Sequence, residues 1–211
     1  MNKKIIILNV ITILLVTAGY IFGIYCINYP MKFDILRMIK DSEIQYLPVI
    51  FAATALVTYL ISSLDIKNLS FKNKFLRIFP VLNLPVLSFF MYMAITGFTE
   101  NKRELIKREN YYIQKAGKDI KNDQVSREYG NGFFIPMYDQ KTMSNIDSIR
   151  KKYGIMSKTS SCVFDDMDHK AREKYSELTE SYLKKRNGKG WEERMNQEIE
   201  GLKKAKNSEN K

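Results

Sequence analysis

The chain has 211 residues and a formal net charge of +11 at pH 7, and its mean hydropathy of −0.29 averages an apolar first half with a charged second half. With one histidine and two cysteines, the sequence excludes any metal site that needs two histidines from one chain. Basic residues are interleaved with acidic ones, so we expect anionic lipid headgroups, and no nucleic acid, to balance the positive charge.

Three stretches without a charged side chain dominate the first half, at 5–31, 44–64 and 78–99. About 20 apolar residues in a helix are enough to cross the hydrocarbon core of a bilayer. Continuous apolar runs, without the alternation of a barrel strand, indicate helices. The sequence therefore predicts three transmembrane helices, over about 5–27, 44–64 and 75–98.

The first stretch has a competing interpretation as a signal peptide, because Lys3 and Lys4 precede it. Its apolar run is longer than the roughly 7 to 15 residues typical of a cleaved peptide. Tyr25, directly before Cys26, is also too bulky for the usual context of a lipidated cysteine. We therefore expect an uncleaved first helix.

Three crossings would place the two ends of the chain on opposite sides of the membrane. Lysine and arginine residues near the helix ends are almost evenly divided between the two sides and decide little. The first helix often sets the orientation, and Lys3 and Lys4 favour a cytoplasmic N-terminus. We expect a multi-pass protein of the cell (inner) membrane with an extracytoplasmic C-terminal domain.

The residue types inside the spans favour helix packing over transport. Pumps and ion pathways normally place charged groups at membrane depth, and these spans contain none. Asn83 lies between Pro80 and Pro85, which favours a kinked helix with one hydrogen-bonding amide over a substrate contact. Gly19 and Gly23 form a Gly-x-x-x-Gly pattern that would let a second helix approach closely.

The remainder of the chain is too polar for a membrane interior. We divide the chain into a membrane domain over 1–99, a helical stalk over 100–127 and a soluble domain over 128–211. The stalk is predicted to continue the third span, because apolar residues recur in it at helical spacing. The soluble domain is predicted to be mainly α-helical, with a short extended segment at 133–135.

Helix signals recur within the soluble domain. Ser144 and Asp147 resemble a capping box that begins a short helix over 146–153, closed by Gly154. Apolar residues at three- and four-residue steps predict a longer helix over about 166–186 and a last helix after it. The last two helices are predicted to pack as an antiparallel hairpin.

One acidic cluster has three interpretations. Asp165, His169 and Glu173 are four residues apart, so on a helix they share a face and could ligate a divalent metal. The simpler interpretation is helix capping, because acids in the first turn interact favourably with the helix dipole. A nucleophilic pair of Cys162 and His169 is the third and weakest alternative, since no group that would orient the histidine is visible.

An aromatic strip follows the stalk and consists of Tyr129, Phe133, Phe134 and Tyr138. It is predicted either to fold under the helices as core or to form an exposed edge that binds a partner. We treat these four residues as the partner-binding candidates.

The sequence contains no phosphate-binding glycine loop, paired Cys-x-x-Cys or zincin motif, so it predicts no cofactor and favours a protein that is not an enzyme. Our first hypothesis is a membrane protein that presents a helical protein-interaction domain, possible roles being bacterial immunity, exclusion or an accessory role in an envelope complex. The alternatives are a membrane-tethered metal-dependent enzyme and a subunit of a transporter or secretion complex.

Overall fold

The computed structural model describes residues 3–64, 69–128, 139–158 and 165–209. It is mostly helical and falls into two compact units, Met1–Arg103 and Glu104–Lys211. Its elements are α1 (Lys3–Ile27), α2 (Ile35–Asp41), a 3₁₀ turn (Ile44–Tyr46), α3 (Leu47–Ser63), α4 (Phe71–Lys121), β1 (Val125–Glu128), α5 (Gln140–Lys152), β2 (Ile155–Lys158), α6 (Asp166–Asn187) and α7 (Trp191–Glu209).

The prediction of three helices long and apolar enough to cross a membrane is confirmed for α1, α3 with its preceding turn, and α4. Their boundaries differ from those predicted. The second begins with the 3₁₀ turn at 44–46, and the third begins four residues early, at Phe71. Helix α4 then continues unbroken to Lys121, so most of the predicted stalk is the same helix.

The three long helices alternate in direction within the first unit. Residues later in α1 contact residues later in α4, so these two helices run parallel. Residues later in α3 contact residues earlier in α4, so these two run antiparallel. The contacts that define these directions are Asn9 to Leu76 and Asn101 to Ile27 for the first pair, and Thr54 to Asn83 and Lys74 to Leu64 for the second. Three alternating helices are the arrangement that three successive crossings require.

The outer surface of the first unit is apolar. Leu14, Val49 and Ile95 are 62%, 64% and 61% exposed, although burial of such side chains normally drives folding in water. The residues buried between the helices include apolar ones such as Val16 and also five polar ones: Asn9, Thr12, Thr58, Ser62 and Asn83. This distribution matches a bundle whose outer surface contacts lipid.

A proline in α4 explains the first of these buried polar residues. Pro80 has no N–H, so it cannot donate to the carbonyl of Leu76 one turn earlier. The Asn9 side chain of α1 donates to that carbonyl at 2.8 Å, and to the Ile5 carbonyl of its own helix at the same distance. The amide therefore replaces the missing helix hydrogen bond and joins α1 to α4.

Glycines allow the same two helices to approach closely. A Cβ on Gly19 would lie 3.1 Å from a side-chain atom of α4, and one on Gly23 would lie 3.9 Å from another. From the opposite side, a Cβ on Gly97 would lie 3.2 Å from the Ile27 Cα. The structure thus places the Gly-x-x-x-Gly pattern against a helix of the same chain.

The second unit is built around a parallel pair of strands that the sequence did not predict. Strands β1 and β2 pair in register from Val125 with Ile155 to Glu128 with Lys158, and α5 lies in the crossover between them. Val125 and Ile155 are almost fully buried. Two strands alone are unstable in water, so the pair depends on the helices that pack against it.

Helices α6 and α7 each bury one face in this unit. Helix α6 buries a residue every fourth position, from Ala171 to Leu183, and α7 buries Trp191, Met195 and Ile199. The short connection at 188–190 separates the two helices, as predicted, but α7 packs on α5. The hairpin packing of α6 on α7 stays a prediction.

The predicted start of the short helix was wrong. Helix α5 begins at Gln140, and the Asp139 carboxylate accepts a hydrogen bond from the Thr142 N–H as its N-cap. Ser144 and Asp147 therefore lie inside the helix. The capping-box pattern gave the wrong start because Asp139, which precedes Ser144 in the chain, is also a residue type favoured as an N-cap. The helix ends as predicted, with Gly154 at a φ of 77°.

Replacing Asn9 should weaken the first unit by an amount that depends on Pro80. We expect Asn9→Ala to cost about 1 kcal/mol of unfolding free energy, because the Leu76 carbonyl loses its donor. In a Pro80→Ala background the cost should fall, since residue 80 then donates to that carbonyl. Denaturation of the full chain in detergent measures both values.

The control is Asn28→Ala, because the Asn28 amide donates to its own helix at an exposed position. An equal cost of Asn9→Ala with and without Pro80 would contradict the assigned role.

Replacing two glycines of α4 by alanine, one at a time, should change the melting temperature in opposite directions. Gly97→Ala should lower the melting temperature, because the new methyl group would press on the backbone at Ile27. Gly117→Ala should raise it, since no atom lies within 4 Å of the new methyl group and alanine favours a helix by about 0.5–1 kcal/mol. Circular dichroism during heating in detergent would test both, and stabilisation by Gly97→Ala would disprove the close approach.

Candidate functional site: a cationic cavity in the second unit

A cavity of about 610 Å³ lies between α4, β1 and α6. Its volume falls in the range typical of sites for small ligands or inserted side chains. Most of the residues that line it have polar side chains, among them three cations and two carboxylates. The lining residues are Tyr112, Lys115, Ser126, Arg127, Arg172, Tyr175, Ser176, Glu177, Thr179 and Glu180.

Tyr175 fixes the position of β1 at the wall of this cavity. Its hydroxyl accepts a hydrogen bond from the Ser126 N–H at 2.8 Å and donates to the Asp119 carboxylate at 2.6 Å. Burial, followed by the nearby Asp119 carboxylate, raises the pKa of the Tyr175 hydroxyl far above its usual value. The side chain is therefore a neutral group that links β1, α4 and α6 at any physiological pH.

A second hydrogen-bonded group, centred on Tyr112, holds another part of the lining. The Tyr112 hydroxyl donates to the Asp168 carboxylate at 2.9 Å. Arg172 donates from Nε to both partners, at 2.9 Å to the Tyr112 hydroxyl and at 2.7 Å to Asp168. Burial and the hydrogen bond to Asp168 raise the pKa of Tyr112, so it also remains protonated.

Arg127 crosses from β1 to the last two helices. Its two terminal nitrogens donate to Glu180 at 2.6 Å and to Glu192 at 2.7 Å. Its guanidinium carbon also lies 5.0 Å from the centroid of the Trp191 ring, within the range of a cation–π contact. These contacts fix one cation of the cavity in a single orientation.

Lys115 is different from the two arginines. Its ammonium nitrogen lies 5.7 Å from the Tyr112 ring centroid and 5.2 Å from that of Tyr175. Within the part of the chain that the structure describes, no carboxylate forms an ion pair with it. The cavity is thus lined by a half-buried lysine whose ammonium has the faces of two aromatic rings as its described contacts.

Two of the three predicted metal candidates, Asp165 and Glu173, are engaged by protein contacts. Asp165 is the N-cap of α6, accepts from the Asp168 N–H, and pairs with Arg108 at 3.0 Å. These two partners lower the pKa of the Asp165 carboxyl despite partial desolvation, the backbone N–H having the larger effect. Glu173 pairs with Lys170, and His169 is exposed. Among the described residues, no group of three potential metal ligands converges.

The other predicted site residues have two different outcomes. Tyr129, Phe133, Phe134 and Tyr138 lie outside the described residues, as does Cys162. Gly19 and Gly23 lie against α4. The cavity itself was not predicted, because its residues come from three elements and share no local spacing. Tyr112 and Tyr175 lie at helical spacing from neighbouring apolar residues, a pattern that indicates packing and gives no sign of a cavity.

The cap at Asp165 should depend on an acceptor oxygen rather than on a metal. Asp165→Ala should cost about 1 kcal/mol, whereas Asp165→Asn should recover most of it, because asparagine also caps helices well. The remaining difference between aspartate and asparagine reflects the Arg108 pair. It should be present above the usual carboxyl pKa and disappear as the pH falls through the lowered value. Thermal unfolding over a pH series measures this, and loss of a bound metal in both variants would refute it.

Removing the Tyr175 hydroxyl should destabilise the second unit. Tyr175→Phe leaves the buried Ser126 N–H with only a 3.4 Å contact to Asp119, so we expect a cost of about 1–3 kcal/mol. Tyr182→Phe is the matched control on the same helix, because that hydroxyl donates to Asp123 at an exposed position. Trp191 fluorescence during denaturation would report both, and equal costs would contradict the assigned role of Tyr175.

Comparison with known proteins identified no relative whose function could inform this site. No family model, curated protein or solved structure matches the chain. The cavity is therefore interpreted from its own residues: two neutral tyrosines and a fixed arginine hold its wall, and the Lys115 ammonium faces the two tyrosine rings.

Proposed function

We propose that this protein is a membrane-anchored binding protein whose second unit binds another protein. One observation carries the proposal: α4 belongs both to the apolar-out bundle and to the wall of the cationic cavity. A chain built in this way would hold a binding site at a membrane. The lipid bilayer and one protein are the partners that we propose.

We further propose a cell (inner) membrane location, with the N-terminus in the cytoplasm and the second unit outside it. The alternating directions of α1, α3 and α4 support an odd number of crossings. Lys3 and Lys4 favour a cytoplasmic N-terminus. A bacterial immunity or exclusion protein, or an accessory protein of an envelope complex, fits this arrangement, because each must present a binding surface at the membrane.

The two alternative functions receive less support. A metal-dependent enzyme would need the Asp165 and Glu173 carboxylates, which are engaged by Arg108 and Lys170. A subunit of a transporter or secretion complex could associate through the Gly-x-x-x-Gly pattern of its first span. Gly19 and Gly23, however, face a helix of the same chain. The interaction hypothesis uses a cavity that these contacts leave open.

Site-specific photo-crosslinking in intact membranes tests the proposal. A photoreactive amino acid at Ser176, in the cavity wall, should form an adduct with one protein. The same group at Lys185, an exposed residue of α6 outside the cavity lining, should not. A chain truncated after Arg103 should lose the partner. Retention of every partner by the truncated chain would refute the interaction hypothesis.

A further inference from the structure

Among the described residues, one cation of the cavity forms no ion pair with a carboxylate. Glu180 pairs with Arg127 at 2.6 Å, and Glu177 pairs with Lys174 at 3.1 Å. The described contacts of the Lys115 ammonium, by contrast, are two ring faces. A counter-charge interacts more strongly with an ammonium group in a protein cavity than in bulk water. An anion in the cavity would supply that charge.

We propose that the cavity binds an anionic group, a carboxylate or a phosphate, through the Lys115 ammonium. The proposal rests on the proposed function in placing that anion on a protein partner. The binding of the anion itself depends only on the cavity and can be measured separately.

The surroundings of Lys115 prepare it for this role. The two rings that flank the ammonium are held by their hydroxyls, Tyr112 to Asp168 and Tyr175 to Asp119. Because both hydroxyls donate to carboxylates, neither side chain can move away from the ammonium without losing a strong hydrogen bond. A cation whose position is fixed before binding loses less entropy when the anion arrives.

The size of the site indicates more than a bare ion. A cavity of about 610 Å³ exceeds what a carboxylate alone would fill. Its remaining lining contains Ser126, Ser176 and the Arg172 guanidinium, which are polar groups suited to oxygen-rich ligands. We therefore expect the anion to be one end of a larger polar ligand or of an inserted acidic side chain.

Titration of the full chain in a neutral detergent tests the proposal. Two probes are used separately at constant ionic strength, inorganic phosphate and glutarate, and the melting temperature is followed. At least one probe should stabilise the wild type saturably. Lys115→Gln should weaken its affinity at least tenfold, and Lys115→Arg, which keeps the charge, should restore most of it.

The matched control is Lys118→Gln, an exposed lysine on the next turn of α4, which should bind within about twofold of the wild type. Circular dichroism of each variant checks that it is folded. No saturable effect of either probe on the wild type, or equal affinity in folded Lys115→Gln, would overturn the proposal.

The two probes and the crosslinking experiment separate the remaining outcomes. Preference for phosphate over glutarate, or the reverse, identifies the anionic group. If a probe binds through Lys115 and Ser176 yields no protein adduct, the ligand is a free small molecule. In that case the anion site stands and the proposed protein partner is wrong.

Discussion

The pairing of backbone polar groups between helices that are long and apolar enough to cross a membrane shapes the first unit. Pro80 leaves the Leu76 carbonyl of α4 without its helical donor, and the Asn9 amide of α1 supplies one. At the other end of the same interface, the Asn101 amide of α4 donates to the Ile27 carbonyl, where α1 ends. Two amides thus satisfy carbonyls that the helices cannot, and in doing so they fix which helices are neighbours.

The second unit depends on side-chain contacts to its strands, since a short strand pair is not stable alone. Tyr175 and Arg127 tie β1 to the surrounding helices through neutral and charged hydrogen bonds. The same contacts surround a cavity in which Lys115 faces two aromatic rings. The groups that stabilise the strand pair are therefore also the groups that define the proposed binding site. This coupling is why a packing residue such as Tyr175 also contributes to the proposed site.

Sequence reasoning succeeded where the signal was local and failed where it was not. The absence of charge over 5–31 predicted a span, and the acidic cluster that begins at Asp165 favoured a helix cap, which Asp165 provides. Both effects act within a few residues. The parallel strands were missed because a four-residue strand such as Val125–Glu128 has too short a pattern to recognise. The role of Asn9 was missed because it depends on a proline 71 positions away in the sequence. The cavity needed the tertiary fold, which brings Lys115 beside Tyr175.

We propose that three alternating helices hold a binding unit on the outer side of a cell membrane. Reporter enzymes that work on only one side of the membrane, fused at Lys211 and, in a second chain, after Asp65, test this topology. We expect an extracytoplasmic signal at Lys211 and a cytoplasmic one after Asp65. Signals on the same side would contradict three crossings, and a cytoplasmic signal at Lys211 would contradict the proposed orientation.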